Sequence, residues 1–314
     1  SGRAVSEASS AESDVPVEHT LGLPPHAPAA PVSTAANVTK ARRGPILDER
    51  ADYIAVLNFA APHLGEEILR SAEELEARVT KSIGWEGFDP VSGELSALSP
   101  SVYYKTVRVG LQLVDRSGVA SEAEITAFCQ ALQSLAVNLV GESEFASRSE
   151  AMKQSDQLDA FCADVDIQIG LNVVRPDGTV IPGTRIRALA ESAGCTLDVD
   201  GRFRRLTEGG AELYSLANLE PRPFSADALA TMTTKGVTVL LDVPRAPEDG
   251  SFTRFAEFAQ HAARSLEGNL VDDNRQPVST SAFAAIATQV ATVRTRMEDE
   301  GIPAGGALAL RLFS

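Results

Sequence analysis

The chain has 314 residues, enough for two domains of ordinary size, and 44% hydrophobic content supports packed cores instead of disorder throughout. Its 28 Lys and Arg stand against 43 Asp and Glu, and a net charge of −15 argues against nucleic acid and anionic headgroups as partners, since both are repelled at long range. No apolar run approaches the roughly 18 residues that a membrane span needs, and no signal peptide opens the chain.

Residues 1–46 contain no Phe, Trp or Tyr and are rich in Ala, Ser and Pro, with Pro24-Pro25, Pro28 and Pro31 among them. Such a segment buries too little apolar surface to offset its conformational entropy, so it reads as an extended linker. His19 and His26 fall inside it and are read as incidental. The start, Ser1-Gly2-Arg3, looks trimmed, which leaves room for a membrane anchor ahead of it.

After the linker the pattern predicts a strand at 52–60 and a helix around 65–79, with Ile68, Ala72, Leu75 and Val79 on one face. Short strands near 82–88 and 94–98 follow, then an alternating strand through Val107, Val109, Leu111 and Leu113. A helix burying Ile125, Phe128, Cys129, Leu132, Leu135, Ala136 and Leu139 completes the set. Leu158, Phe161, Cys162 and Val165 suggest a short connecting helix.

The order then recurs. A strand at 165–174 leads to a helix at 183–193 using Ile186, Leu189, Ala190 and Ala193, and to strands near 196–205 and 211–218. An alternating strand through Val237, Val239, Leu241 and Val243 precedes a helix burying Phe252, Phe255, Ala259, Ala262, Ala263 and Leu266. One more helix is expected over 279–299, started by Ser279, Thr280 or Ser281 and burying Phe283, Ile286, Ala287, Val290, Val293 and Met297. Ala307–Phe313 alternates apolar side chains, as a strand at a sheet edge would.

Two pairs of segments look like copies: Asp52–Asn58 parallels Asp166–Asn172, and Ser134–Val140 parallels Ser265–Val271. Each half reads β-α-β-β-β-α, so the expected fold class is α+β: a split β-α-β sandwich, an antiparallel or mixed sheet with helices on one face, duplicated. The expected boundaries are a linker at 1–46, a first domain at 47–157 and a second at 158–314.

Chemistry is sparse. Cys129, Cys162 and Cys195 are far apart inside apolar patterns and read as buried thiols of a reducing compartment. His63 lies just before the first helix and His261 lies mid-helix beside a run of alanines, neither reads as catalytic, and the chain has no GxSxG elbow, phosphate loop or HExxH. Asp272-Asp273-Asn274 lacks the spacing and closing Glu of a calcium loop and reads as a turn. Trp85, the only tryptophan, is read as either an exposed anchor or a core residue. No cofactor and no metal site are expected.

The most specific signal is an ordered set of short motifs: Ser215-Leu216-Ala217-Asn218, Thr233-Thr234, Gly236-Val237-Thr238, Val243-Pro244, Ala259-Gln260-His261 and Asp272-Asp273-Asn274-Arg275. Together they resemble the C-terminal domain of the ZipA family, membrane-tethered cell-division adaptors that bind the tail of FtsZ. The resemblance is loose from Leu158 to Met297, and a Pro-rich linker ahead of the folded part fits the same family. It implies a non-enzymatic adaptor at the division septum, on the cytoplasmic face of the bacterial inner membrane, with the FtsZ C-terminal tail as partner. Membrane contact would come only through an N-terminal anchor. It also implies a peptide-binding site on the sheet face that the helices leave open.

Alternation then places Ala217, Leu219, Thr238 and Leu240 on that face, with Leu240 between Leu219 and Gly170. Matching the family pattern adds Gln168, Gly170, Asp200 and Arg202. At those four positions the chain departs from the family's apolar groove, which would make this one wetter and shallower. The rival reading is a structural divisome scaffold whose sheet face or inter-domain surface binds another division protein. A sensing or hydrolytic enzyme on the same architecture is a third class, since fold does not fix function.

Overall fold

The computed structural model describes residues 46–88, 93–247 and 250–314. The expected linker, with His19 and His26, lies outside the described residues except for Ile46.

The first half runs β1 (Asp52–Leu64), α1 (Gly65–Glu76), β2 (Ile83–Phe88), β3 (Leu95–Ala97) and β4 (Tyr103–Gln112), then the small hairpin β5 (Val114–Asp115) and β6 (Gly118–Val119), α2 (Glu122–Asn138) and β7 (Gly141–Phe145). Next comes α3 (Arg148–Val165). The second half runs β8 (Gln168–Val174), β9 (Ile181–Pro182), α4 (Gly183–Ser192), β10 (Thr196–Leu197), β11 (Phe203–Leu206) and β12 (Glu212–Asn218). A short 3-10 turn (Ala228–Ala230) is followed by β13 (Thr233–Thr234), β14 (Gly236–Asp242), α5 (Ser251–Ser265), β15 (Asn269–Val271), α6 (Thr280–Asp299) and α7 (Ala307–Leu312).

Two main sheets result, in the orders β3-β2-β4-β1-β7 and β10-β11-β12-β14-β8-β15, beside the two-stranded pairs β9–β13 and β5–β6, and every neighbouring pair is antiparallel. Alternation decides the faces. Ala55, Leu57, Val107 and Val109 of the first sheet, and Leu171, Val173, Leu216, Val237, Val239 and Leu241 of the second, are fully or almost fully buried. Each such valine or leucine stabilises the fold by about 1.5–3 kcal/mol relative to exposure. Tyr53 meets Phe128 of α2 edge-on at 6.0 Å, and Tyr214 stacks on Phe258 of α5 at 4.7 Å, so one aromatic pair ties a strand to a helix in each half.

The centres of the two sheets correspond. Asp52 pairs with Gln112 and Gln168 pairs with Asp242, with the same register onward to Leu57–Val107 and Val173–Val237. Each following helix ends in a non-glycine residue of positive φ, Val140 (53°) and Glu267 (54°), and then a glycine. Those glycines face equivalent backbone: a Cβ on Gly141 would stand 2.6 Å from the Asn58 carbonyl oxygen, and one on Gly268 would stand 3.0 Å from that of Val174. The correspondence therefore differs from the sequence pairing. Asp52 matches Gln168, not Asp166, and the helix ends match through Leu139 and Leu266, not Ser134 and Ser265. The two-residue shift in the strand is even, so the facing of every side chain survives it.

The outer edges are wired differently. The strand beside β4 is β2, with β3 outside it, whereas β14 is flanked by β12, then β11 and β10.

Three further expectations are corrected. The connecting helix spans Arg148–Val165, with Ser147 as N-cap, and is longer than the short helix expected around Leu158–Val165. The single strand near 196–205 is a hairpin, β10–β11. Ala307–Phe313 forms α7, with Ala309 and Leu312 buried, because Ala and Leu favour helix and no β-branched residue opposes it.

Candidate peptide-binding face

The open face of the second sheet is built from alternate residues of four strands. Gln168, Gly170 and Asn172 come from β8, Thr238, Leu240 and Asp242 from β14, Ser215 and Ala217 from β12, and Arg204 from β11. Cross-strand pairs join them in rows: Arg204–Ser215–Leu240–Gly170 in one, Ala217–Thr238–Asn172 in the next and Asp242–Gln168 in a third. Leu240, Gly170, Ala217 and Thr238 all stay partly exposed. A Cβ on Gly170 would lie 3.5 Å from Leu240 Cδ2, so the glycine keeps the face shallow beside that leucine.

Leu240 therefore sits between Ser215 and Gly170, not between Leu219 and Gly170. Leu219 follows the end of β12, donates its N–H to the Gly236 carbonyl at 3.2 Å and is 37% exposed at the rim. Asp200 and Arg202 are not strand residues either. They belong to the turn joining β10 to β11, closed by the Asp198 N–H on the Arg202 carbonyl at 2.9 Å.

Polar groups frame the apolar strip. At one edge Arg204 pairs with Asp198 at 2.8 Å and with Asp200 and Glu212. Burial works against the Arg204 charge, yet the carboxylates of Glu212 and Asp200 raise its pKa. At one end Asp242 accepts from Gln168 Nε2 at 3.3 Å and from Arg116 of the first half at 2.7 and 2.9 Å. Elsewhere the Thr238 hydroxyl donates to Asn172 Oδ1 at 2.7 Å, and Asn172 Nδ2 donates to Asp273 at 3.0 Å. Asp272-Asp273-Asn274 forms a turn, with the Arg275 N–H bonded to the Asp272 carbonyl at 3.0 Å.

The eight residues expected on this face thus divide. Gln168, Gly170, Ala217, Thr238 and Leu240 are brought together on the strands, Leu219 marks the rim, and Asp200 and Arg202 border the Arg204 cluster. Asn172, Asp242, Arg204 and Arg116 were missed. Continuing the alternation by one step along β8 and β14 reaches the first two; nothing local in the sequence points to Arg116.

The other polar residues singled out have structural partners. His63 Nε2 lies 2.9 Å from the Leu139 carbonyl oxygen and Nδ1 lies 3.1 Å from Glu67, so it joins the end of β1 to the end of α2. His261 lies 3.4 Å from Ser265 on α5. Trp85 is 6% exposed and belongs to the core.

The first sheet's open face differs. Gly84, Glu86, Ile54, Val56, Arg108 and Gly110 point to it, and Ile46 and Leu47 lie across part of it. The rest is a cleft of about 420 Å³ between Ile54, Val56 and Arg108 of the sheet and Ser147–Gln154 of α3.

The second half is thus an α+β unit built on an antiparallel sheet whose open face is apolar at its centre and polar at its rim. Within that unit, residues 167–289 match the family model described as ZipA, C-terminal FtsZ-binding domain. No helix among the described residues is long and apolar enough to cross a membrane.

Proposed function

We propose that the protein is a non-enzymatic cell-division adaptor whose second sheet docks the C-terminal tail of FtsZ over Leu240, Gly170, Ala217 and Thr238. One observation carries this reading: the family match falls on the half whose sheet face keeps these side chains accessible. A short tail would lay apolar side chains on Leu240 and Leu219. An affinity near micromolar, about −8 kcal/mol, suits so small a contact. The adaptor would act at the septum, joined to the inner membrane through an anchor ahead of the linker. In the same reading, 47–157 and 158–314 are two copies of one domain, supported by the matching register of their central strands.

Fluorescence anisotropy with a labelled FtsZ tail peptide tests the site. Leu240→Asp should lower affinity about thirtyfold, on the order of 2 kcal/mol, with an unchanged melting temperature. Leu241→Asp, whose side chain is fully buried against the helices, should unfold the second domain instead. A wild-type protein that fails to bind the tail would instead favour the scaffold role with another division protein as partner.

A further inference from the structure

On the first sheet, the place equivalent to the row Ser215–Leu240–Gly170 is the row Gly84–Gly110–Ile54. Two glycines stand where the second sheet has serine and leucine, and the notch they leave is filled. A Cβ on Gly84 would lie 2.5 Å from Leu47 Cδ2, and one on Gly110 would lie 2.6 Å from it. Two residues along the same strand, Glu86 is 0% exposed, and its Oε1 accepts the backbone N–H groups of both Ile46 and Leu47, the latter at 2.7 Å. Its other oxygen has only Arg108 Nη1, at 3.5 Å.

A buried carboxylate needs donors, and here the donors are two successive peptide N–H groups of the chain itself. Further grips come from Asp52 of β1, which accepts the Asp48 N–H at 2.7 Å, from Arg311 of α7, which donates to the Ile46 carbonyl at 3.0 Å, and from Gln154 of α3, which donates to the Glu49 carbonyl at 2.5 Å. Side-chain notch, backbone-binding carboxylate and flanking grips together make a receptor for a short peptide segment, occupied in cis.

We propose that Ile46–Arg50 is an exchangeable strap that fills the first sheet's peptide-accepting face, so that the chain offers one free face, the second. The inference goes beyond the proposed function and does not depend on FtsZ. The occupant it requires has an apolar side chain following two free N–H groups, and the covalent tether gives the strap an effective concentration on the order of millimolar against any competitor.

The test uses the full chain and, as probe, a labelled peptide of its own residues 44–50. In the wild type the Ile46 and Leu47 amides should exchange slowly with deuterium, and the probe should bind negligibly. In Leu47→Asp those amides should exchange at least tenfold faster while those of Val107–Leu111 stay protected, and the probe should bind at least tenfold more tightly than to the wild type. Adding Gly110→Leu, which fills the notch, should return binding to the wild-type level. The proposal is overturned if the wild-type Ile46 and Leu47 amides are unprotected, if the probe binds both forms alike or neither, or if Leu47→Asp unfolds the first sheet.

Discussion

Burial raises the thiol pKa of Cys162 to about 12, helped by the Asp159 and Asp166 charges, and that of Cys195 to about 11. The thiolate is the nucleophile, so at pH 8 fewer than roughly one in a thousand of these groups would be reactive. Iodoacetamide at pH 8 should therefore leave both unlabelled in the native protein and label them rapidly in urea; native labelling at the denatured rate would refute the burial. The apolar setting of these cysteines is visible in the sequence, because it depends only on helical and strand periodicity. The pairing of Leu240 with Ser215 is not, since β12 carries outward residues at 215, 217 and 219 and alternation alone cannot say which of the three lies opposite. Glu86 is equally opaque: a Glu in Gly84-Trp85-Glu86-Gly87 reads as solvated until the strap that buries it is seen.

Among the elements, α2 has the best-defined start. Ser121 accepts from the Glu124 N–H at 3.2 Å, and the Glu124 carboxylate accepts from the Ser121 N–H at 2.9 Å and from Thr80 N and Oγ1 at 3.0 and 2.6 Å. Partial burial raises the Glu124 pKa, but the bonds from Thr80 and Ser121 outweigh it and lower the value from 4.5 to about 2. A depressed folded pKa stabilises the protein above the unfolded value, and that contribution is lost as pH falls from 4.5 towards 2. Urea midpoints at pH 5.5 and pH 3 should fall further for the wild type than for Glu124→Gln, and equal falls would remove Glu124 from the acid response. The same element level shows what periodicity delivers. Helices with wide apolar stripes and strands with clean alternation lie where the pattern puts them, whereas Ala307–Phe313 is ambiguous by period. Its Ala/Leu composition, after Gly306, decides for helix. The β10–β11 hairpin is signalled by Asp200-Gly201, with Gly201 at φ 78°, a turn cue that periodicity alone passes over.

For residues 46–314 as a whole, the two halves share one hydrophobic core and are tied by specific polar contacts as well. Arg116, in the β5–β6 turn, donates to Asp166 at 2.6 and 3.1 Å and to Asp242 at 2.7 and 2.9 Å, and lies 5.7 Å over the Phe313 ring. Burial opposes its charge, yet the two carboxylates raise its pKa well above the ordinary value. Arg116→Ala would leave both carboxylates without that partner, one of them on the candidate face, and calorimetry should show a single transition splitting into two; one unchanged transition would mean that the halves are coupled elsewhere. The joint between halves had no signature in the chain, because its members are separated by 50 residues or more. The last turn of the molecule adds a mechanical consequence. Arg311 of α7 holds both the Ile46 carbonyl and the Asp52 carboxylate, so the segment leading into β1 is fastened by α7. A pull on Ile46 meets the Glu86 bond at its own N–H, then the Arg311 bond at its carbonyl and then the Glu86 bond at the Leu47 N–H, before load reaches β1. The strap would act as a fuse that yields in sequence, sparing the sheets behind it.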